Sequence, residues 1–164
     1  MNVIKATKPK AVRSTQALIL LYVVALGVIA MAVAQMVSFE GFVQAIRSYQ
    51  VAGLRGSIAL SVLLITLEVF SVPFLLRLWL SPAARFVSAL FVLAAPVLWT
   101  VLTVSVLVRG VDAPNYGYYG SFVPGPVSLT VLVKDLVWLL AAAITFVVLG
   151  GMQALRLKRH AAAD

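Results

Sequence analysis

The sequence contains no cysteine. Disulfides, thiolate metal sites and thiol catalysis are therefore excluded within this chain. Charge is also scarce: Asp, Glu, Lys and Arg make up 11% of residues, against roughly 25% in an average soluble domain. Only five residues are acidic and one is histidine. No catalytic constellation stands out, so the chain reads more as a non-enzyme than as an enzyme. A metal site needs several converging ligands; His160 sits alone in a basic tail, where solvation is its ordinary state. No long polar stretch is present that could form a soluble domain.

What fills the chain is apolar. Of its 164 residues, 63% are hydrophobic, and the mean hydropathy is +1.08. A transmembrane helix needs about 20 such residues to cross a hydrocarbon core of about 30 Å. Four segments meet that length: 16–37, 56–80, 85–108 and 129–151. The net charge of +8 raises nucleic acid as a partner, but the Lys and Arg residues lie at segment ends. There they act as topology signals facing anionic lipid. No nucleic acid is expected.

Residues 1–15 form a basic N-terminus, 16–151 a four-span membrane domain and 152–164 a basic tail. The first span, QALILLYVVALGVIAMAVAQMV, has a signal peptide as its rival reading, because Ala32-Val33-Ala34 resembles an A-x-A cleavage site. Its apolar run exceeds the usual ~7–15 residues of a signal core, so it is expected to be retained. The segment 38–55 is too polar to span. Phe39, Phe42, Val43, Ile46 and Tyr49 recur at helical spacing, with Glu40, Gln44, Arg47 and Gln50 opposite. This predicts an amphipathic helix at the headgroups or folded back onto the bundle. Pro73 and Pro96 interrupt the second and third spans and should bend them. The fold class is all-α: an integral membrane four-helix bundle with an interfacial amphipathic helix after the first span.

Basic residues near the span ends set the topology. Lys5, Lys8, Lys10, Arg13, Arg77, Arg85, Arg156, Lys158 and Arg159 fall on one side; Arg47, Arg55, Arg109 and Lys134 fall on the other. The positive-inside rule then places both termini in the cytoplasm of a bacterial inner (plasma) membrane protein, with 38–55 and 109–128 outside.

Three groups of residues invite chemistry. Glu68 lies about 18 Å into the second span at 1.5 Å per residue, near the midplane. An ionised carboxylate there is costly unless paired, so it should face the bundle. Ser61 and Ser71 share its face. Two readings fit: a proton or ligand site, or a hydrogen-bonded acid that fixes helix register. Tyr116, Tyr118 and Tyr119, with Gly117 and Gly120 between and beside them, form either an interfacial aromatic belt or an outer contact surface. Lys134 and Asp135, about one turn into the fourth span, suit a loop–helix clasp, with Arg109 or Asp112 as candidate partners. Trp79 suits an interface anchor, whereas Trp99 and Trp138 suit packing.

The Phe-rich segment FEGFVQAIRSYQV after the first span, the Glu in LITLEVF and the run NYGYYGSFVPGPVSLTVLVKD together resemble the DoxX-like superfamily, in particular the methylamine-utilisation MauE family, over residues 16–150. The family's loop commonly reads Cys-Gly-Cys-Phe-Gly where this chain has Tyr116-Gly117-Tyr118-Tyr119-Gly120. The resemblance implies a frame that supports thiol redox chemistry elsewhere, here without its thiols, since tyrosine cannot perform thiol exchange.

The resulting expectation is a non-catalytic accessory or structural subunit of a membrane assembly, contacting membrane lipid and another membrane or extracytoplasmic protein. One alternative is a quinone- or thiol-redox-linked protein working with a partner's cysteines. A second is a small proton-coupled transporter using Glu68. No cofactor is required, although quinone or lipid would be compatible.

Overall fold

The computed structural model describes residue 12 and residues 14–149. The basic N-terminal cluster apart from these, the basic tail and His160 lie outside the described residues. Among the described residues five helices follow one another: α1 (Thr15–Val37), α2 (Phe39–Ser48), α3 (Leu54–Leu75), α4 (Pro82–Arg109) and α5 (Leu129–Val148). Four of them, all but α2, are long and apolar enough to cross a membrane. They close a ring in which α3 packs on α1 and α4, and α5 packs on α4 and α1.

The polarity of the bundle is inverted relative to a soluble protein. Leu26, Phe70, Val101 and Val137 are more than half exposed, whereas Gln35, Ser61, Glu68, Thr103 and Asp135 are buried. A bundle whose helices are apolar outside and polar inside is stable only with lipid around it. The chain is a multi-pass membrane protein.

Short polar caps set several helix ends. The Ser14 hydroxyl accepts from the Ala17 amide at 3.4 Å. Ser81 accepts from the Ala84 amide at 3.2 Å, with Pro82 in the first helical position. This cap begins α4 three residues before the expected 85. The second span also differs from its expected extent of 56–80, ending at Leu75. Arg77 takes a left-handed backbone (φ 57°); its amide donates to Phe74 C=O and the Leu78 amide to Pro73 C=O. Those two bonds form a Schellman stop, which ends the helix although the following residues are still apolar. Gly110, at φ 63°, closes α4 in the same manner.

Pro73 removes a backbone donor from the last turns of α3, and Ser88 of α4 compensates next to it. The Ser88 hydroxyl accepts from the Phe74 amide at 3.0 Å and donates to Phe70 C=O at 2.6 Å. It therefore bridges the two groups that an uninterrupted turn would pair directly. Ser88→Ala is expected to cost about 1–3 kcal/mol by leaving buried backbone groups short of a partner. A lowered melting temperature in mild detergent would report it, and an unchanged one would show that the ladder is already closed without the hydroxyl.

Two apolar clusters fill the interior. One joins Leu21, Val24, Phe74, Ala89 and Phe146 at the end where the chain passes from α3 to α4. The other joins Phe42, Ile46, Tyr49, Leu64, Trp99 and Val106 at the opposite end, where the segment 110–128 folds over the helices. Helix α2 belongs to this second cluster. Its Phe42, Val43 and Ile46 and the following Tyr49 are buried, while Glu40, Gln44, Arg47 and the following Gln50 are exposed. Of the two placements expected for this amphipathic segment, the apolar face is turned into the bundle, against α3.

Candidate functional site

A polar layer separates the two clusters, and Glu68 is its centre. The side chain is 1% exposed. Its Oε1 accepts from the Trp99 indole Nε1 at 2.9 Å and from Gln35 Nε2 at 3.3 Å. These contacts tie α3 to α4 and to α1, and both donors are neutral. Oε2 has no partner. Ser61 and Ser71 share the buried face of α3 as their spacing predicts, but the Ser71 hydroxyl donates to the Glu68 backbone carbonyl at 2.7 Å rather than to its carboxyl.

Gln35 carries the network onward. The same Nε2 donates to the backbone carbonyl of Tyr118 at 3.0 Å, and the Tyr118 hydroxyl donates to Asp135 Oδ1. Two buried acids on different helices are thus linked through one loop residue. Thr103 of α4 is close enough to interact with the Asp135 carboxyl, although neither Thr103 Oγ1 nor Asp135 Oδ2 closes a hydrogen bond.

Lys134 and Asp135 meet the loop through tyrosines and not through Arg109 or Asp112. Lys134 is exposed, its Nζ lying 5.8 Å from the centre of the Tyr116 ring, a cation–π contact. Arg109 goes elsewhere: its guanidinium donates to Tyr49 C=O at 2.6 Å and Gln50 C=O at 2.9 Å. There it caps the carbonyls at the end of α2. Asp112 is exposed.

The three loop tyrosines do not share one surface. Tyr118 is 7% exposed and sets its ring edge-on to Trp99, with centroids 4.8 Å apart. Tyr116 and Tyr119 are half-buried. The expected contact surface of Tyr116, Tyr118 and Tyr119 therefore loses its central member to the interior. Gly117 (φ 78°) and Gly120 (φ 59°) create this division. Left-handed backbone on both sides of Tyr118-Tyr119 reverses the chain twice, at angles that L side chains resist. Gly120 also lies so close to the Ser38 hydroxyl that a methyl group there would collide with it.

Further bonds fasten the loop along its length. The Asn115 side chain accepts from the Gly117 amide and donates to Gly120 C=O, each at 2.9 Å. The Tyr116 amide donates to Gly125 C=O at 2.8 Å and the Val127 amide to Ala113 C=O at 2.9 Å. The Tyr49 hydroxyl donates to Tyr116 C=O at 2.8 Å. Burial, and after it the charge of Asp135, push the Tyr49 phenol well above the ordinary tyrosine value, so it remains a donor throughout the physiological range.

A cavity of about 20 Å³ opens beside Glu68 where the four spanning helices meet, bounded also by Met31, Ser71, Pro96, Trp99 and Trp138. The Trp138 indole donates to Met31 Sδ at 3.4 Å. Trp99 and Trp138 both pack as expected, but Trp99 is in addition the shortest hydrogen-bond donor to Glu68. Trp79, 66% exposed, stands free of the bundle, as an interface anchor would. Gln35 is the member of this network that the sequence reading missed. A lone amide at the end of an apolar span was the available signal for it.

No family model, curated protein or solved structure matches the chain. No cluster of three or more potential metal ligands occurs among the described residues.

Proposed function

We propose that this protein is a non-catalytic accessory subunit of a membrane assembly in a bacterial plasma membrane, with both termini cytoplasmic and a DoxX/MauE-like frame that has exchanged its loop thiols for tyrosines. One observation carries the reading: the loop 110–128 is tied to Gln35 of α1, to Ser38 and Tyr49 at the two ends of α2 and to Asp135 of α5, yet leaves an apolar tip outside. Phe122 is 60% and Val123 48% exposed, beside the exposed Pro124. A loop held this firmly presents its tip in one conformation, which lowers the ordering cost of binding a partner. The partner is expected to be another membrane or extracytoplasmic protein with a complementary apolar recess.

A photo-crosslinking amino acid at Phe122 tests this in intact cells. A single adduct, lost when Val123 is changed to Asp and absent when the crosslinker is moved to the lipid-facing Val137, is the expected result. Purification of the protein alone, with no adduct from Phe122, would overturn the accessory role.

A further inference from the structure

The cavity beside Glu68 takes no part in holding the loop. It measures about 20 Å³ and touches every spanning helix, through Met31, Glu68, Ser71, Trp99 and Trp138 among others. A space of roughly 10–15 Å³ on this scale already admits a water molecule, while a void with wholly apolar walls stays dry. The walls here are apolar except on the α3 side.

That side presents an unsatisfied group. Glu68 Oε2 has no hydrogen-bond partner, although the residue is almost completely buried. Its other oxygen is fully engaged by Trp99 and Gln35, and a buried carboxyl oxygen without a partner bears its whole desolvation cost. Ser71 supplies the second polar atom. Its hydroxyl hydrogen is committed to the Glu68 carbonyl at 2.7 Å, which leaves the oxygen lone pairs able to accept.

We propose that this cavity is a binding site for a single water molecule, donating one hydrogen to Glu68 Oε2 and the other to Ser71 Oγ. Two polar partners meet the minimum for an ordered internal water, and the volume excludes a larger ligand. The water completes the polar layer between the two apolar clusters. It also gives the buried carboxyl of Glu68 an exchangeable O–H partner without movement of the side chain. This site is independent of the loop and of the accessory role: its failure would leave the crosslinking result untouched.

The test uses the full chain in detergent micelles. Selective excitation of water in an NMR cross-relaxation experiment is expected to give a cross-peak at the Trp99 indole proton, which Trp99→Phe identifies by its loss. Ala142→Val, which pushes a methyl group into the cavity, is expected to abolish that cross-peak. The same change should lower Tm in the wild type, by displacing the water from Oε2, and raise it in a Glu68→Leu background, where only packing is at stake. Absence of the cross-peak in the wild type, or a Tm that rises in both backgrounds as it would for a dry void, overturns the proposal.

Discussion

Glu68→Ala is expected to destabilise the protein by about 3–5 kcal/mol. Three losses coincide. The Trp99 indole loses its acceptor at 2.9 Å and is left buried with its donor unpaired. Gln35 keeps only Tyr118 C=O. The deleted atoms enlarge a cavity that already exists beside them, and the cost of a core truncation grows with the void it leaves. Glu68→Gln retains a carbonyl oxygen to accept from Trp99 and Gln35, so its cost is expected to stay below about 1.5 kcal/mol. Reversible unfolding in mixed micelles measures both. Equal stability of the Ala and Gln variants would mean that the carboxyl does not organise the helices. Full stability of both would leave proton or ligand chemistry as the sole reason for an acid at this depth.

The second large effect concerns the latch between loop and bundle. Asp135→Ala leaves the Tyr118 hydroxyl buried without its acceptor and is expected to cost about 2–4 kcal/mol. Tyr118→Phe strands the Asp135 carboxyl, whose other oxygen is already unpartnered, and is expected to cost about 2–3 kcal/mol. The combination Tyr118→Phe with Asp135→Val removes both polar groups together. Since replacing both members of a buried polar pair by apolar groups is often nearly neutral, the double variant should be more stable than either single one. Local opening should follow the same order: faster amide exchange across 110–128 in each single variant and recovery in the double. Strictly additive energies would show that Tyr118 and Asp135 do not act as a pair.

These effects arise from residues that were unequally visible in the chain. Phe39, Phe42, Val43, Ile46 and Tyr49 advertised a helical face through their spacing, and all of it but the half-buried Phe39 is buried. The inward orientation of Glu68 followed from the cost of turning a carboxylate toward lipid. Its partners did not follow. Gln35 is 33 residues away and Trp99 is 31, and nothing in a local pattern reports which donor reaches a given acceptor across a bundle. Lys134 and Asp135 were placed near the loop by their position one turn into α5, but Asp112 for the lysine and Arg109 for the aspartate were the natural partners on charge alone. Tyr118 took that place because Gly117 and Gly120 turn its ring inward.

By itself, the amino-acid sequence determined how many helices cross, roughly where they begin, which segment is amphipathic and that the acid of the second span is internal. Each of these depends on the transfer of side chains between water and lipid, which acts residue by residue and leaves a mark at fixed period. Tertiary structure alone decided that α2 turns its apolar face into the bundle, that Arg77 halts the second span early, and that Glu68, Gln35, Tyr118 and Asp135 form one network. The stop at Arg77 depends on a left-handed backbone angle that its residue type does not announce, whereas the burial of α2 and the network depend on contacts between different helices, which packing sets and for which one-dimensional order carries no signal.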